Sequence, residues 1–148
     1  MTQVDFYVLD SGAAAAREQL ACRLADKACR RNLRVYIHTA TREDATRMDD
    51  LLWTFRPGSF VPHELARPGA EPAAPVLIGH GDDPGDEHGV LINLDQTVPP
   101  FFSRFERVAE VVDGSPQGKQ NARERFRFYR DRGYALSTHH VSDPGPDV

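Results

Sequence analysis

The segment Lys119–Gly133, KQNARERFRFYRDRG, carries six basic residues (Lys119, Arg123, Arg125, Arg127, Arg130 and Arg132) against two acidic ones, Glu124 and Asp131. The local balance is +4 in a chain whose formal net charge is −4, so −8 is left for everything else. At about 100° per residue in an α-helix, Lys119, Arg123, Arg127 and Arg130 fall within roughly a quarter-turn of one another. Ala122, Phe126, Tyr129 and Gly133 form an adjoining apolar stripe, with Phe126 on the border. Guanidinium groups form forked, charge-assisted contacts with carboxylates, and a neighbouring ring supplies an apolar anchor. That combination suits an acidic peptide with an apolar end. It also describes a solvated Arg-rich helix whose charge only keeps the chain soluble. The residues alone leave both readings open.

Other positions carry residue types suited to catalysis or to metal or nucleotide binding. Asp10 closes the first apolar run, where catalytic carboxylates occur on α/β sheets, but a helix cap shared with Ser11 is the simpler expectation. The turn Asp10-Ser11-Gly12-Ala13-Ala14 has one glycine where a dinucleotide fingerprint needs three, and no Gly-Lys-Ser/Thr phosphate loop occurs. Gly114-Ser115-Pro116-Gln117-Gly118 resembles a nucleophile elbow, with its serine one place out of register. The loop His80–His88 gathers four carboxylates and two imidazoles. It lacks calcium-loop spacing, because Leu94 stands where the bidentate Glu would be, and it is expected to be an acidic hairpin tip. His139 and His140 are expected to be solvent-exposed. These sites predict no catalytic residue, no metal and no cofactor.

The elements that would position the basic helix follow from periodicity. Residues 4–9 (VDFYVL), 33–39 (LRVYIHT), 76–80 (VLIGH), 89–94 (GVLINL) and 108–113 (VAEVVD) read as strands with near-continuous apolar runs. An alanine-rich helix follows the first strand, with Ala13, Ala16, Leu20, Leu24 and Ala28 at helical spacing. A second helix opens at Thr41, whose spacing to Asp44 resembles a capping box, and runs to about Phe55. Ser59–His63 is expected to be extended, Pro99–Phe105 a short helix packed by its phenylalanines, and YALST (134–138) an edge strand or extended tail. Ser115 and Pro116 start the basic helix as cap and first residue. The β-α-β-α opening predicts an α/β, single-domain Rossmann-like fold over 1–140. Its sheet is mostly parallel with helices on both faces, followed by a disordered tail, 141–148.

Composition fits an ordinary soluble domain, with 40% apolar and 27% charged residues among 148. Cys22 and Cys29, seven apart in one helix, are expected to be reduced thiols rather than a disulfide. No apolar run approaches the roughly 20 residues that cross a bilayer. The first residues lack the pattern of a secretory signal, so the expected location is cytoplasmic. Trp53, Phe60 and Val61 flank a Pro-Gly turn. Phe60 and Val61 are consecutive in an extended segment, so they point to opposite sides and one of them is expected to be exposed as an interface anchor.

Three segments together, DFYVLD, LLWTFRPGSFVPHEL and KQNARERFRFYRDRGYALST, resemble the chi subunit of bacterial DNA polymerase III holoenzyme. The resemblance runs from about residue 3 to residue 138. It implies a Rossmann-like fold without nucleotide chemistry and a non-enzymatic role in the clamp-loader complex. The implied partners are the psi subunit and the acidic C-terminal tail of single-stranded-DNA-binding protein, which ends in Phe with a free carboxylate. By position, Arg123, Phe126 and Arg127 are implied to hold that tail, with Lys119 one turn earlier, and the charges of Lys119 and Arg130 suit its aspartates. Trp53, Phe60 and Val61 are implied to meet psi, or a helicase competing for that surface. Phe126-Arg127 replaces a familiar Tyr-Lys pair, which removes a hydroxyl but keeps ring and charge. Two other readings stand beside this one. The first is a nucleotide-dependent enzyme using the sheet's C-terminal edge near Asp10. The second is a single-stranded nucleic-acid binder stacking bases on Phe126 and Tyr129. The −8 carried elsewhere predicts direct DNA contact that is weak or absent.

Overall fold

The computed structural model describes residues 1–142. Seven strands and three helices follow one another in the order β1 (Gln3–Leu9), α1 (Ala14–Arg30), β2 (Val35–Thr39), α2 (Arg42–Thr54), β3 (His63–Leu65), β4 (Val76–His80), β5 (Val90–Asn93), β6 (Arg107–Val112), α3 (Pro116–Asp131) and β7 (Ala135–Val141). The strands form one sheet in the order β3-β4-β2-β5-β6-β1-β7, and every neighbouring pair is parallel. Layers on both faces explain the continuous apolar runs, since an interior strand must present hydrophobic side chains in both directions. On one face, α1 and α2 bury Leu20, Ala25, Met48 and Leu52 against Ile37, Ile78 and Ile92. On the other, α3 and a 3-10 turn at Phe102–Arg104 bury Ala122, Tyr129, Phe101, Phe102 and Phe105 against Val4, Phe6 and Val108. The fold is the α/β Rossmann-like architecture expected, with helices on both faces.

Helix starts follow the cap chemistry in two of three cases. Thr41 Oγ1 accepts from the Asp44 amide at 3.1 Å, and Ser115 Oγ accepts from the Gly118 amide at 3.0 Å. The first helix departs from expectation. Its N-cap is Ala13, with no side-chain cap, and Ser11 Oγ accepts from the Ala13 amide in the turn just before it.

The segment after the Pro-Gly turn joins the sheet at His63–Leu65, in register with Val76–Ile78 of β4. Two further expectations are corrected. The acidic segment is not a hairpin tip: β4 and β5 lie on opposite sides of β2, so residues 81–89 cross over that strand. Glu87 in this crossover is buried and receives Arg34 through Nε at 3.2 Å and Nη2 at 3.1 Å. At the other end of the sheet, β7 pairs with β1 from Gln3↔Ala135 to Leu9↔Val141. Val141 is therefore part of the sheet, and residues 143–148 of the expected tail lie outside the described residues.

Candidate functional site

The orientation of α3 is set by a polar cluster inside the protein. Glu110 on β6 is 0% exposed. Arg125 Nε donates to its Oε1 at 2.9 Å, Tyr129 Oη donates to its Oε2 at 2.7 Å, and Asn93 Nδ2 donates to both oxygens at 3.0 and 3.1 Å. Arg125 Nη1 also donates to the Gln96 carbonyl at 3.0 Å. Burial first, and the neighbouring carboxylate second, push the Tyr129 hydroxyl far above the usual phenol range, so it stays a donor. A buried charge is tolerated only when paired and hydrogen-bonded, and here each carboxylate oxygen has donors. Arg125 is thus a core residue. Its spacing to Ala122 and Tyr129 puts it on the inward face of the helix.

With Gly118, Ala122, Arg125 and Tyr129 turned inward, Lys119, Arg123, Arg127 and Arg130 face solvent together. Arg130 Nη2 meets Asp131 Oδ1 at 3.1 Å, an exposed neighbour pair of the kind that is worth little. Arg123 Nη1 donates to Gln120 Oε1 at 3.2 Å, a neutral partner. Among the described residues, Lys119, Arg123 and Arg127 form no ion pair with a carboxylate. Arg132 is set apart, its guanidinium 3.6 Å above the Phe128 ring.

Beside the cations lies Phe126, half-buried, its ring 5.4 Å from that of Phe6 on β1. Register pairs Phe6 with Thr138 and Val8 with His140, so alternation puts both β7 side chains on the α3 face of the sheet. The stripe therefore borders an apolar floor (Phe6, Phe126) and an edge strand. The sequence reading did not include that floor, because Phe6 belongs to a strand more than a hundred residues away in the chain.

A second exposed feature sits on the other helical face. Trp53 at the end of α2 is 55% exposed and Phe60 is 67% exposed, with ring centroids 5.9 Å apart. Trp53 also packs 4.6 Å from the ring of His63, whose nitrogens lie 2.6 Å from the Val61 carbonyl and 3.0 Å from that of Asp49. Val61 itself is 1% exposed and belongs to the core. The alternation argument holds, with Phe60 outward and Val61 inward, and Val61 is removed from the interface residues. Because α2 packs on β3 and β4 whereas α3 packs on β6 and β7, the aromatic pair and the basic stripe occupy opposite faces and opposite ends of the sheet.

The sheet's own ligand position is filled. Strands β1 and β6 are neighbours whose following loops leave towards opposite faces, the place where doubly wound sheets open a crevice. Here the Gly114 amide donates to the Ser11 carbonyl at 2.6 Å, and a Cβ on Gly114 would stand 2.2 Å from the Asp10 carbonyl oxygen. A Cβ on Gly12 would likewise stand 3.4 Å from Ser115 Cβ. Ser115 Oγ is engaged with Asp113 Oδ1 at 2.5 Å and with the α3 amide, which is cap chemistry. Among the described residues, no group of three His, Cys, Asp or Glu side chains could hold a metal ion, and no helix is long and apolar enough to cross a membrane.

Residues 1–137 match the family described as DNA polymerase III chi subunit, HolC. The chain belongs to the DNA polymerase III chi-subunit family. It is similar to DNA polymerase III subunit chi of Pseudomonas aeruginosa, at 48% identity over 141 residues covering 95% of this chain and 98% of the relative. The chi subunit of Escherichia coli K12 is 35% identical over 143 residues, covering 93% and 97% of the two chains. That of Haemophilus influenzae is 32% identical over 137 residues, covering 92% and 95%. Among solved structures, T4 UvsW aligns with a TM-score of 0.68 at 9% identity, over 97% of this chain and 42% of that one, a likeness of fold alone. The chi-family match spans both the Trp53–Phe60 pair and all of α3.

Proposed function

We propose that this chi-family chain is a non-enzymatic adaptor of the cytoplasmic DNA polymerase III clamp-loader complex. Its α3 stripe takes the acidic C-terminal tail of single-stranded-DNA-binding protein, and the Trp53–Phe60 pair takes the psi subunit. The observation that carries the reading is the pair Arg123 and Arg127, exposed and without carboxylate partners among the described residues, beside the half-buried Phe126. Either guanidinium can fork onto a terminal carboxylate. Phe126 offers the exposed part of its ring to the tail's last side chain, while Lys119 and Arg130 attract its aspartates. A contact of this size supplies about 8 kcal/mol, a micromolar affinity. Added salt weakens it, because the cations are exposed.

Fluorescence anisotropy with a labelled acidic peptide ending in Phe tests the reading. Arg123→Ala is expected to weaken binding by at least about tenfold, the size of one lost charge-assisted bond. Unaltered affinity in a folded variant removes the site.

One observation favours a second reading, direct contact with nucleic-acid phosphates. A groove of about 430 Å³ beside α1 is lined by Arg23, Lys27, Arg30, Arg31 and Arg56 with Leu24 and Val141, so the −8 outside Lys119–Gly133 is unevenly spread. Asp26 offsets part of that charge, meeting Arg30 at 2.8 Å and Arg56 at 3.4 Å. Among the described residues no aromatic side chain lines the groove, so it offers phosphate contact without base stacking, and binding through it is weak at physiological salt. The nucleotide-dependent enzyme has no observation in its favour, since the β1–β6 crevice is occupied by the two loops.

A further inference from the structure

A cleft of about 760 Å³ opens between the proline-rich connection 66–72 and the acidic crossover 82–87. It lies on the α3 face of the β3–β4 end, far along the sheet from α3 itself. Its floor is Leu77, Ala66, Gly79 and the ring of Tyr36. Its rim carries Asp82, Asp83 and Asp86 on one side and Glu71 on the other, all exposed, against one lining guanidinium, that of Arg67. Asp83 Oδ1 accepts from the Gly85 amide at 2.9 Å, and the other two lining carboxylates are engaged more fully. Glu64 Oε2 accepts from the Ala73 and Ala74 amides at 2.7 Å each, and Glu87 holds Arg34.

The floor contains an unexplained polar atom. Tyr36 is 1% exposed, and its hydroxyl has no hydrogen-bond partner among the described residues. A Cβ on Gly79 would stand 2.1 Å from that oxygen, so the hydroxyl rests on the bare glycine backbone of the cleft floor. Leaving a buried hydroxyl unpaired is costly, and phenylalanine would fill the same space without that cost. Burial, reinforced by Asp83 and Glu87, pushes the phenol up to about 12, so the group is a neutral hydroxyl able to accept as well as donate.

The rim carboxylates narrow the ligand class. No three of them converge in a way that could hold a metal ion. They are instead strung along a rim above an apolar floor. A ligand matched to that pattern has separated positive charges joined by apolar linkers. We propose that this cleft binds an elongated organic cation, ammonium groups on a methylene chain, with one ammonium donating to the Tyr36 hydroxyl and others pairing with Asp82, Asp83 and Asp86. Spermidine and a lysine side chain share this chemistry. The site is independent of the α3 stripe and of the reading given to it.

Isothermal titration of the full chain at low salt, with spermidine and separately with a capped trilysine peptide, tests the proposal. Saturable binding by either is expected, and which of them binds tells a free polyamine from a lysine-bearing partner. Tyr36→Phe is expected to weaken that binding about tenfold, as loss of one bond to a charged group should, while leaving the melting temperature unchanged or raised. Asp82→Asn/Asp83→Asn is expected to weaken it at least as much, and because both positions are exposed the double variant folds. Two results overturn the proposal. One is no saturable binding of either cation. The other is binding that both variants leave within about twofold, the behaviour of a diffuse counterion cloud around an acidic chain.

Discussion

Arg125 and Glu110 meet at 2.9 Å in the interior, one on α3 and the other on β6, with side chains 4% and 0% exposed. The pair fixes the rotation of α3. A turn of the helix that exposed Arg125 would strip the Glu110 carboxylate of its ionic partner and carry the Lys119–Arg130 stripe towards the sheet. The docking surface proposed for α3 is thus held in place by an internal ion pair that touches no ligand.

Arg125→Met leaves a buried carboxylate without its cation, and the expected loss is about 3–5 kcal/mol of stability. Arg125→Met/Glu110→Leu removes both charges and should recover much of that loss, although Tyr129 then loses its acceptor and Asn93 keeps only the Thr97 carbonyl. Urea unfolding with linear extrapolation gives both numbers. A single-variant loss below about 1 kcal/mol is incompatible with the role assigned to the pair.

Phe60→Ala and Val61→Ala separate surface from core at adjacent positions. Phe60 is exposed and pairs only loosely with Trp53, so its truncation should cost under about 1 kcal/mol. Val61 is buried, and its truncation should cost about 2 kcal/mol through the cavity left behind. Co-purification with psi should fail for Phe60→Ala and for Trp53→Ala while Val61→Ala retains it. Retention of psi by both aromatic variants would place that partner elsewhere.

His38 makes stability depend on pH. Burial, opposed by Asp95 at 3.3 Å and by Asp82, lowers its pKa below the usual 6.5, and His80 adds to the lowering. Below about 6.5 the unfolded chain takes up a proton that the folded chain refuses, so stability is full above that pH. It falls as acid is added, and the fall ends once His38 is protonated in the fold as well. Thermal melts between pH 7.5 and 5.5 should therefore slope less for His38→Gln than for the parent chain. Parallel slopes would remove His38 as the cause.

Gly114→Ala tests the filled crevice between β1 and β6. The new methyl would meet the Asp10 carbonyl oxygen at 2.2 Å, a backbone atom that cannot swing aside. A loss of about 1–3 kcal/mol is expected, as for other overpacked sites. Unchanged melting would mean that the two loops have room to part.

The fold class was legible because long apolar runs alternate with helical spacing, and Thr41 and Ser115 mark two helix starts by cap chemistry alone. Features depending on strand order were not. Nothing local in GDDPGDEH distinguishes a hairpin tip from a crossover, and β3 is only three residues between prolines, too short for alternation to register. The outward stripe was read correctly from helical angles. Arg125 entered the sequence reading only as a charge, although its spacing of three from Ala122 and four from Tyr129 puts it inward. Val61 shows the limit of alternation, which predicts one buried and one exposed neighbour, while packing in the fold decides which.

Backbone amide shifts of the isotope-labelled chain, followed by NMR during titration with an acidic peptide ending in Phe, test the α3 assignment most directly. The account predicts that the largest changes cluster at Lys119, Arg123, Phe126, Arg127 and Arg130, with smaller ones at Thr138 and His140, and that they fade as salt is raised. Changes centred on Trp53 and Phe60, or on Arg23–Arg31 of α1, with α3 unmoved, would contradict it.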